Sequence, residues 1–129
     1  MPPSRRGPWR RSSPILSVER TWIRTDLLVI SAAGEIDATS ARLLQRATWD
    51  DLAPVTVLDL AKVTLLGAAG LRVLAVLAHR AHTEERVIAL VSPPHPVSVV
   101  LLTFWNDRRV LLYSTLAEAL RAHPATIGP

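Results

Sequence analysis

The chain has 129 residues and a mass of 14.1 kDa, a size that suits one domain; 49% hydrophobic residues exclude disorder throughout. The absence of cysteine excludes a disulfide framework, thiolate zinc sites and a cysteine nucleophile, and fits a reducing, cytoplasmic setting. The net charge is +4, but Arg5, Arg6, Arg10 and Arg11 supply it from the first fourteen positions, which hold no acid; from Ile15 onward eleven basic residues balance eleven acidic ones, so charge gives no support to a nucleic-acid-binding face on the domain.

Residues 1–14 contain four prolines, three serines and four arginines and read as a disordered arm, because such a composition cannot bury enough apolar surface to order itself. The pair Arg5-Arg6 is not followed by an apolar stretch fit for export, since Glu19, Arg20 and Arg24 interrupt it. A domain is expected over residues 15–123 and a frayed end over 124–129. Within it, Ser17–Ile23 reads as a strand, and the apolar run Leu27–Ala33, ending at Gly34, as its hairpin partner. Thr39–Leu52 reads as a helix with Leu43, Leu44 and Ala47 inward and Arg42, Gln45 and Arg46 outward. Val55–Leu60 is β-branched and almost wholly apolar, as a strand buried on both faces of a parallel sheet must be.

Gly70–His82 follows as a helix with an inward stripe of Leu71, Leu74, Leu77, Ala78 and Ala81. Val87–Val91 is a second buried strand. A rigid proline turn then leads into a short helix expected over Val97–Trp105. Val110–Tyr113 is the last strand, and Thr115 with Glu118 has the spacing of a capping box for a helix over Leu116–Ala122. Strands and helices alternating in this way predict an α/β fold: a mixed, mainly parallel sheet of five strands with four helices packed on it. No segment is apolar for the ~20 residues that cross a membrane as a helix, so no membrane insertion is expected.

The chemistry-bearing residue types do not converge on a catalytic set. His79 and His82 lie three apart, before Glu84-Glu85, but no third metal ligand is apparent and helix ends often carry such residues. His95 sits between prolines and His123 in the terminal fray. Ser31, Thr39, Ser40, Thr64 and Ser92 lack the sequence context of an activated hydroxyl. Asp50-Asp51 and Glu84-Glu85 are adjacent pairs, which do not face each other on a helix. No phosphate-binding glycine loop is present. The expectation is a protein without enzymatic activity, metal or cofactor.

Two short motifs remain. Gly34-Glu35-Ile36-Asp37 ends a strand just before a helix, where Asp37 is placed to cap. Val63-Thr64-Leu65-Leu66-Gly67-Ala68-Ala69-Gly70-Leu71 joins the Val55–Leu60 strand to the next helix, and its small residues permit close backbone approach at a helix N-terminus. Taken together, with Val57-Leu58-Asp59-Leu60 between them and Leu116-Ala117-Glu118-Ala119-Leu120 near the end, these motifs resemble the STAS family, whose members include the bacterial anti-sigma factor antagonists. The resemblance covers Ser17 to Ala122. It implies a small sheet with helices on one side and a role as a protein-binding regulator whose partner is an anti-sigma factor of the serine-kinase type.

In that family the second motif usually carries Asp-Ser-Ser-Gly or Asp-Ser-Thr-Gly, and its first serine is phosphorylated by the partner. Here Gly67 stands in place of the aspartate, Ala68 in place of the phospho-acceptor and Ala69 in place of the second hydroxyl; only Gly70 is kept. A switch based on the charge of a phosphate is therefore not expected at Ala68, and Thr64, the nearest hydroxyl, is expected to point elsewhere. The expected contact surface comprises Gly34, Glu35, Asp37, Thr39, Ser40, Gly67, Ala68, Ala69, Gly70 and Arg72, with Leu71 turned inward. A different role within the same family, as accessory subunit of a transporter such as a lipid-transport ABC system or as part of a signalling complex, is the alternative that the missing acceptor favours.

Overall fold

The structure is a computed structural model and describes residues 9–49, 51–92 and 109–125. In chain order the elements are β1 (Trp9–Ser12), β2 (Leu16–Arg24), β3 (Leu27–Ile36), α1 (Ala41–Trp49), β4 (Val55–Leu66), α2 (Ala68–Thr83), β5 (Val87–Val91), β6 (Val110–Tyr113) and α3 (Leu116–Ala122). The six strands form one sheet in sequence order. β1, β2 and β3 pair antiparallel, and β3 to β6 run parallel. This is the expected mixed, mainly parallel α/β architecture, with one strand more than the sequence pattern shows. The helix expected over Val97–Trp105 lies outside the described residues.

The burial pattern follows from position in the sheet. Leu27, Leu28, Val29 and Ile30 of β3 are all buried, because neighbouring strands flank it and helices cover both its faces. β2 alternates instead: Leu16, Val18 and Arg20 turn inward while Ser17 and Thr21 face solvent, as an antiparallel strand with one open face does. The larger core gathers Leu28, Ile30, Leu58, Leu60 and Leu90 from the sheet with Leu44, Leu74 and Leu77 from α1 and α2. Each such Leu or Ile contributes about 1.5–3 kcal/mol relative to its exposed state. A smaller core on the opposite face packs Leu27, Val29, Val57 and Val91 against Ala119, Leu116 and Leu120 of α3. The expectation of helices on one side is thus corrected. α3 follows the short strand β6 and carries its own apolar stripe, which covers the second face.

Three further corrections concern boundaries. The arm expected over residues 1–14 is not free along its whole length, because Trp9–Ser12 pair with Ser17–Arg20 of β2. Trp9 packs against the main core, Arg11 stacks over the Trp9 ring at 5.4 Å and Arg10 meets Glu19 at 2.8 Å; composition gave no hint of these contacts. β3 runs through Gly34 to Ile36, and β4 continues to Leu66, so Gly34, Glu35 and Val63–Leu66 belong to strands and not to loops. α1 starts at Ala41 and stops at Trp49, leaving Thr39 and Ser40 in the turn before it.

The C-terminal end of α1 and the segment that follows it are held by arginines from β2, from α2 and from the turn before β5. Arg20, only 5% exposed, donates to the Ala47 carbonyl and, at 2.6 Å, to that of Asp51. Arg80 of α2 donates to Thr48 at 2.6 Å and Arg86 to Leu52 at 2.7 Å. The last carbonyls of a helix lack partners within it and carry partial negative charge, so Arg20 and Arg80 satisfy those of Ala47 and Thr48, and the bonds to Asp51 and Leu52 tie the exit from α1 to the sheet.

Candidate functional site

β3 and β4 are parallel neighbours, with Ile36 opposite Leu66 at their C-terminal ends. Each strand leads into a helix, so the starts of α1 and α2 emerge side by side. This topology joins the two sequence motifs. The Gly67 amide donates to the Ile36 carbonyl at 2.8 Å, and a Cβ on Gly67 would lie 3.9 Å from the Asp37 Cα. The turn Asp37–Ser40 and the segment Gly67–Gly70 therefore form one continuous surface.

Gly34 has φ +117°, and a Cβ there would sit 2.1 Å from the Ile15 carbonyl oxygen. No side chain fits. The Glu35 amide donates to the same Ile15 oxygen at 2.9 Å, and the register with β4 shifts between Gly34 and Glu35. Gly34 thus makes a kink in β3 that turns the exposed Glu35 and the following Asp37 toward the strand end. Thr64 lies on β4, exposed, with its hydroxyl 3.4 Å from the Gly34 carbonyl oxygen.

Asp37 organises the turn. Its Oδ1 accepts from the Thr39 hydroxyl at 2.7 Å, the Thr39 amide at 2.8 Å and the Ser40 amide at 3.1 Å. The Ser40 hydroxyl donates to the Glu35 carbonyl at 2.7 Å and accepts from the Asp37 amide at 2.9 Å. The Thr39 hydroxyl first, and then the two amides, hold the Asp37 carboxyl below its ordinary value of 3.8. The cap expected from Asp37 is present. Ser40 is buried and spans the turn, so its hydroxyl is structural; Thr39 is exposed.

Gly67 caps α2 with extended backbone and no side-chain hydrogen bond. Ala68 is exposed, Ala69 half-buried and Gly70 buried. A Cβ on Gly70 would approach Leu66 Cδ1 to 2.3 Å and Ile36 Cγ2 to 2.7 Å, so Gly70 lets α2 settle onto the strand ends. Leu71 packs against the main core and Arg72 is exposed. All ten expected contact residues fall at this end of the sheet. Ile15, Ile36 and Leu66 were not among them, yet their carbonyl or side-chain atoms shape the turn. The only signal pointing to them is the glycine at each facing position, and that does not identify the partner.

The remaining candidates do not join this surface. His79 and His82 are exposed on α2 near its C-terminal end, and no cluster of three or more metal-ligating groups occurs among the described residues. His95 and Asp50 lie outside them. His123 accompanies Tyr113 at the β6 edge of the sheet, Oη to Nε2 2.9 Å. No helix among the described residues is long and apolar enough to cross a membrane.

A family model described as the STAS domain matches residues 20–119. The crystal structure of an anti-sigma factor antagonist from Mycobacterium paratuberculosis is similar at TM-score 0.70 and 31% identity, over 87% of this chain and 97% of that one. A STAS-domain anti-sigma-factor antagonist protein from Planctomyces limnophilus is similar at TM-score 0.63 and 22% identity, over 81% and 95%. The Bacillus cell fate determinant SpoIIAA in its phosphorylated form gives TM-score 0.66 and 12% identity, over 81% and 97%. These last two likenesses concern the fold. No curated protein sequence matches the chain.

Proposed function

The chain belongs to the STAS domain family, and from that premise we propose that it is an anti-sigma factor antagonist whose Asp37–Ser40 turn and Gly67–Gly70 segment, with Arg72, dock an anti-sigma factor of the serine-kinase type and release a sigma factor. The observation that carries the reading is the joining of the two motif segments through the bond from the Gly67 amide to the Ile36 carbonyl, which sets the exposed Thr39 and Ala68 on adjoining turns. The similarity to the mycobacterial anti-sigma factor antagonist, at 31% identity over 87% of the chain, supports it.

Ala68 is exposed at the first turn of α2, the position matched to the family's phospho-acceptor. It has no hydroxyl, so a kinase partner has nothing to modify there. A phosphate would bring about −1.5 to −2 charge into the interface; without it the antagonist stays competent to dock. The release step is then governed by abundance or competition and not by phosphorylation of this turn.

The test is capture from a lysate of the native host on the immobilised full chain, with retained proteins identified by mass spectrometry. Retention of a kinase-like anti-sigma factor is the expected result. Retention of transporter ATPase and permease subunits, with no such factor, favours the accessory-subunit role that a missing acceptor also suits.

A further inference from the structure

Next to the turn runs a groove between α1 and α2, with a volume of about 280 Å³. Ala38, Ala41, Ala69, Val73 and Val76 give it apolar lining, with Gln45 and the buried Thr48 among them on the α1 side, and Val76 is 60% exposed. Arg42 and Arg72 stand on its two rims, and Arg46 follows one turn after Arg42 on α1. Neither helix contains an Asp or Glu. Arg42, Arg46 and Arg72 make no ion pair among the described residues, in contrast to Arg10, Arg24, Arg80 and Arg86, which meet carboxylates. Trp49, 69% exposed, ends the same helix row.

Alanines and valines between arginines that meet no carboxylate among the described residues suit an amphipathic helix that offers small apolar side chains and carboxylates. We infer that this groove receives an acidic amphipathic segment of the partner protein, extending the contact from the Gly67–Gly70 turn along α2. The inference deepens the docking role proposed above and rests on it. A second copy of this chain is a poor occupant. α3, with Glu118 alone, is the only described helix that holds an acid, and Glu19, Asp26 and Glu84 already pair within the domain. The arginine-rich residues 1–14 carry the wrong sign. A nucleic acid would match the arginines but not the alanines and valines between them, and the exposed Trp49, at the end of α1, does not line the groove.

The experiment is an NMR titration of the ¹⁵N-labelled full chain with a Leu/Glu amphipathic peptide of about 12 residues, roughly three helical turns. A Leu/Lys peptide of the same pattern and an oligo-dT strand are the controls. The Leu/Glu peptide is expected to shift the amides of Arg42, Ala69, Arg72, Val73 and Val76, with the Leu/Lys peptide about ten-fold weaker or silent. Arg42→Glu/Arg72→Glu should reduce binding by a similar factor while its spectrum stays dispersed, since both side chains are exposed. Shifts elsewhere, equal response to both peptides, or tighter binding of the oligonucleotide each overturn the inference. So does a host anti-sigma factor that the native chain and the double variant retain equally; docking then stands but avoids the groove. A groove that takes the Leu/Glu peptide in a chain that retains no anti-sigma factor keeps the acidic-segment reading and removes the anti-sigma one.

Discussion

The Gly67 amide sits 2.8 Å from the Ile36 carbonyl oxygen, so backbone alone fixes the start of α2 against the turn that starts α1. Side chains at 67 and 68 are therefore free to vary without moving the surface. A Cβ on Gly67 would meet the Ile36 oxygen at 3.5 Å, an ordinary contact, and the backbone there is extended with φ −86°. Gly67→Asp should accordingly fold and gain a few tenths of a kcal/mol as a side-chain cap, with the nearby Asp37 limiting the gain. Thermal unfolding of the variant checks this; a loss beyond about 1 kcal/mol would show that the space is not there.

Gly34→Ala should behave in the opposite way. The residue combines φ +117° with a Cβ position 2.1 Å from the Ile15 oxygen. Backbone must move, and the cost expected is about 3 kcal/mol or more, a drop in Tm of about 10 °C. A variant that unfolds within about 2 °C of the native chain would mean that β3 is not kinked there.

Asp37 ties stability to pH. The hydrogen bonds from Thr39 and Ser40 hold its folded pKa below the ordinary 3.8. The unfolded carboxylate therefore binds its proton more readily, and acidification favours unfolding. The contribution is fully present at neutral pH and is lost as pH falls below about 4 through the depressed pKa. Asp37→Ala should be less stable than the native chain at pH 7, with the gap narrowing as pH falls below about 4. Asp37→Asn, which keeps an acceptor oxygen, should hold most of the cap and lose the pH dependence. A gap of the same size at both pH values would assign the effect to something other than the carboxylate.

Periodicity and burial rules made the central sheet and both main helices readable in advance, because Val55–Leu60 and Val87–Val91 are apolar on both faces and Leu74 and Leu77 repeat at helical spacing. The Asp37 cap and the Thr115 cap, whose Oγ1 accepts from the Glu118 amide at 3.1 Å, were readable for the same local reason. What stayed hidden depends on partners distant in sequence. β1 exists because Trp9 and Arg10 find the core and Glu19 across a strand pair. The kink at Gly34 depends on Ile15, and the α1 end on Arg20, Arg80 and Arg86. The placement of α3 on the second face follows from sheet geometry, which a capping box does not encode.

Arg20 illustrates this dependence in a form that mutation can measure. Its buried guanidinium bridges the Ala47 and Asp51 carbonyls. Arg20→Met fills similar space but leaves two carbonyls at a helix end without that donor, at an expected cost of about 2–4 kcal/mol. Arg20→Lys should recover only part, since one ammonium lacks the guanidinium's fork of donors. Chemical denaturation of the two variants gives the order native, Lys, Met; a Met variant as stable as native would show that water or another group serves those carbonyls equally well.

Substitutions at Ala68 test regulation and folding separately. Ala68 is exposed in the first turn of α2, where a negative side chain is favoured by the free N–H groups, worth about 0.3–1 kcal/mol. Ala68→Asp should therefore leave Tm unchanged or raise it. If the turn is the docking surface, the same charge should weaken retention of the anti-sigma factor, as a phosphate at that place would. Ala68→Ser should retain the partner and, alone or with Gly67→Asp, become phosphorylated by a kinase-type partner in the presence of ATP, with retention falling as phosphate accumulates. Native chain incubated in the same way should remain unmodified at residues 64–72. Phosphate found on native Thr64, or an Ala68→Asp variant retained as well as native, would place the regulated contact away from this turn.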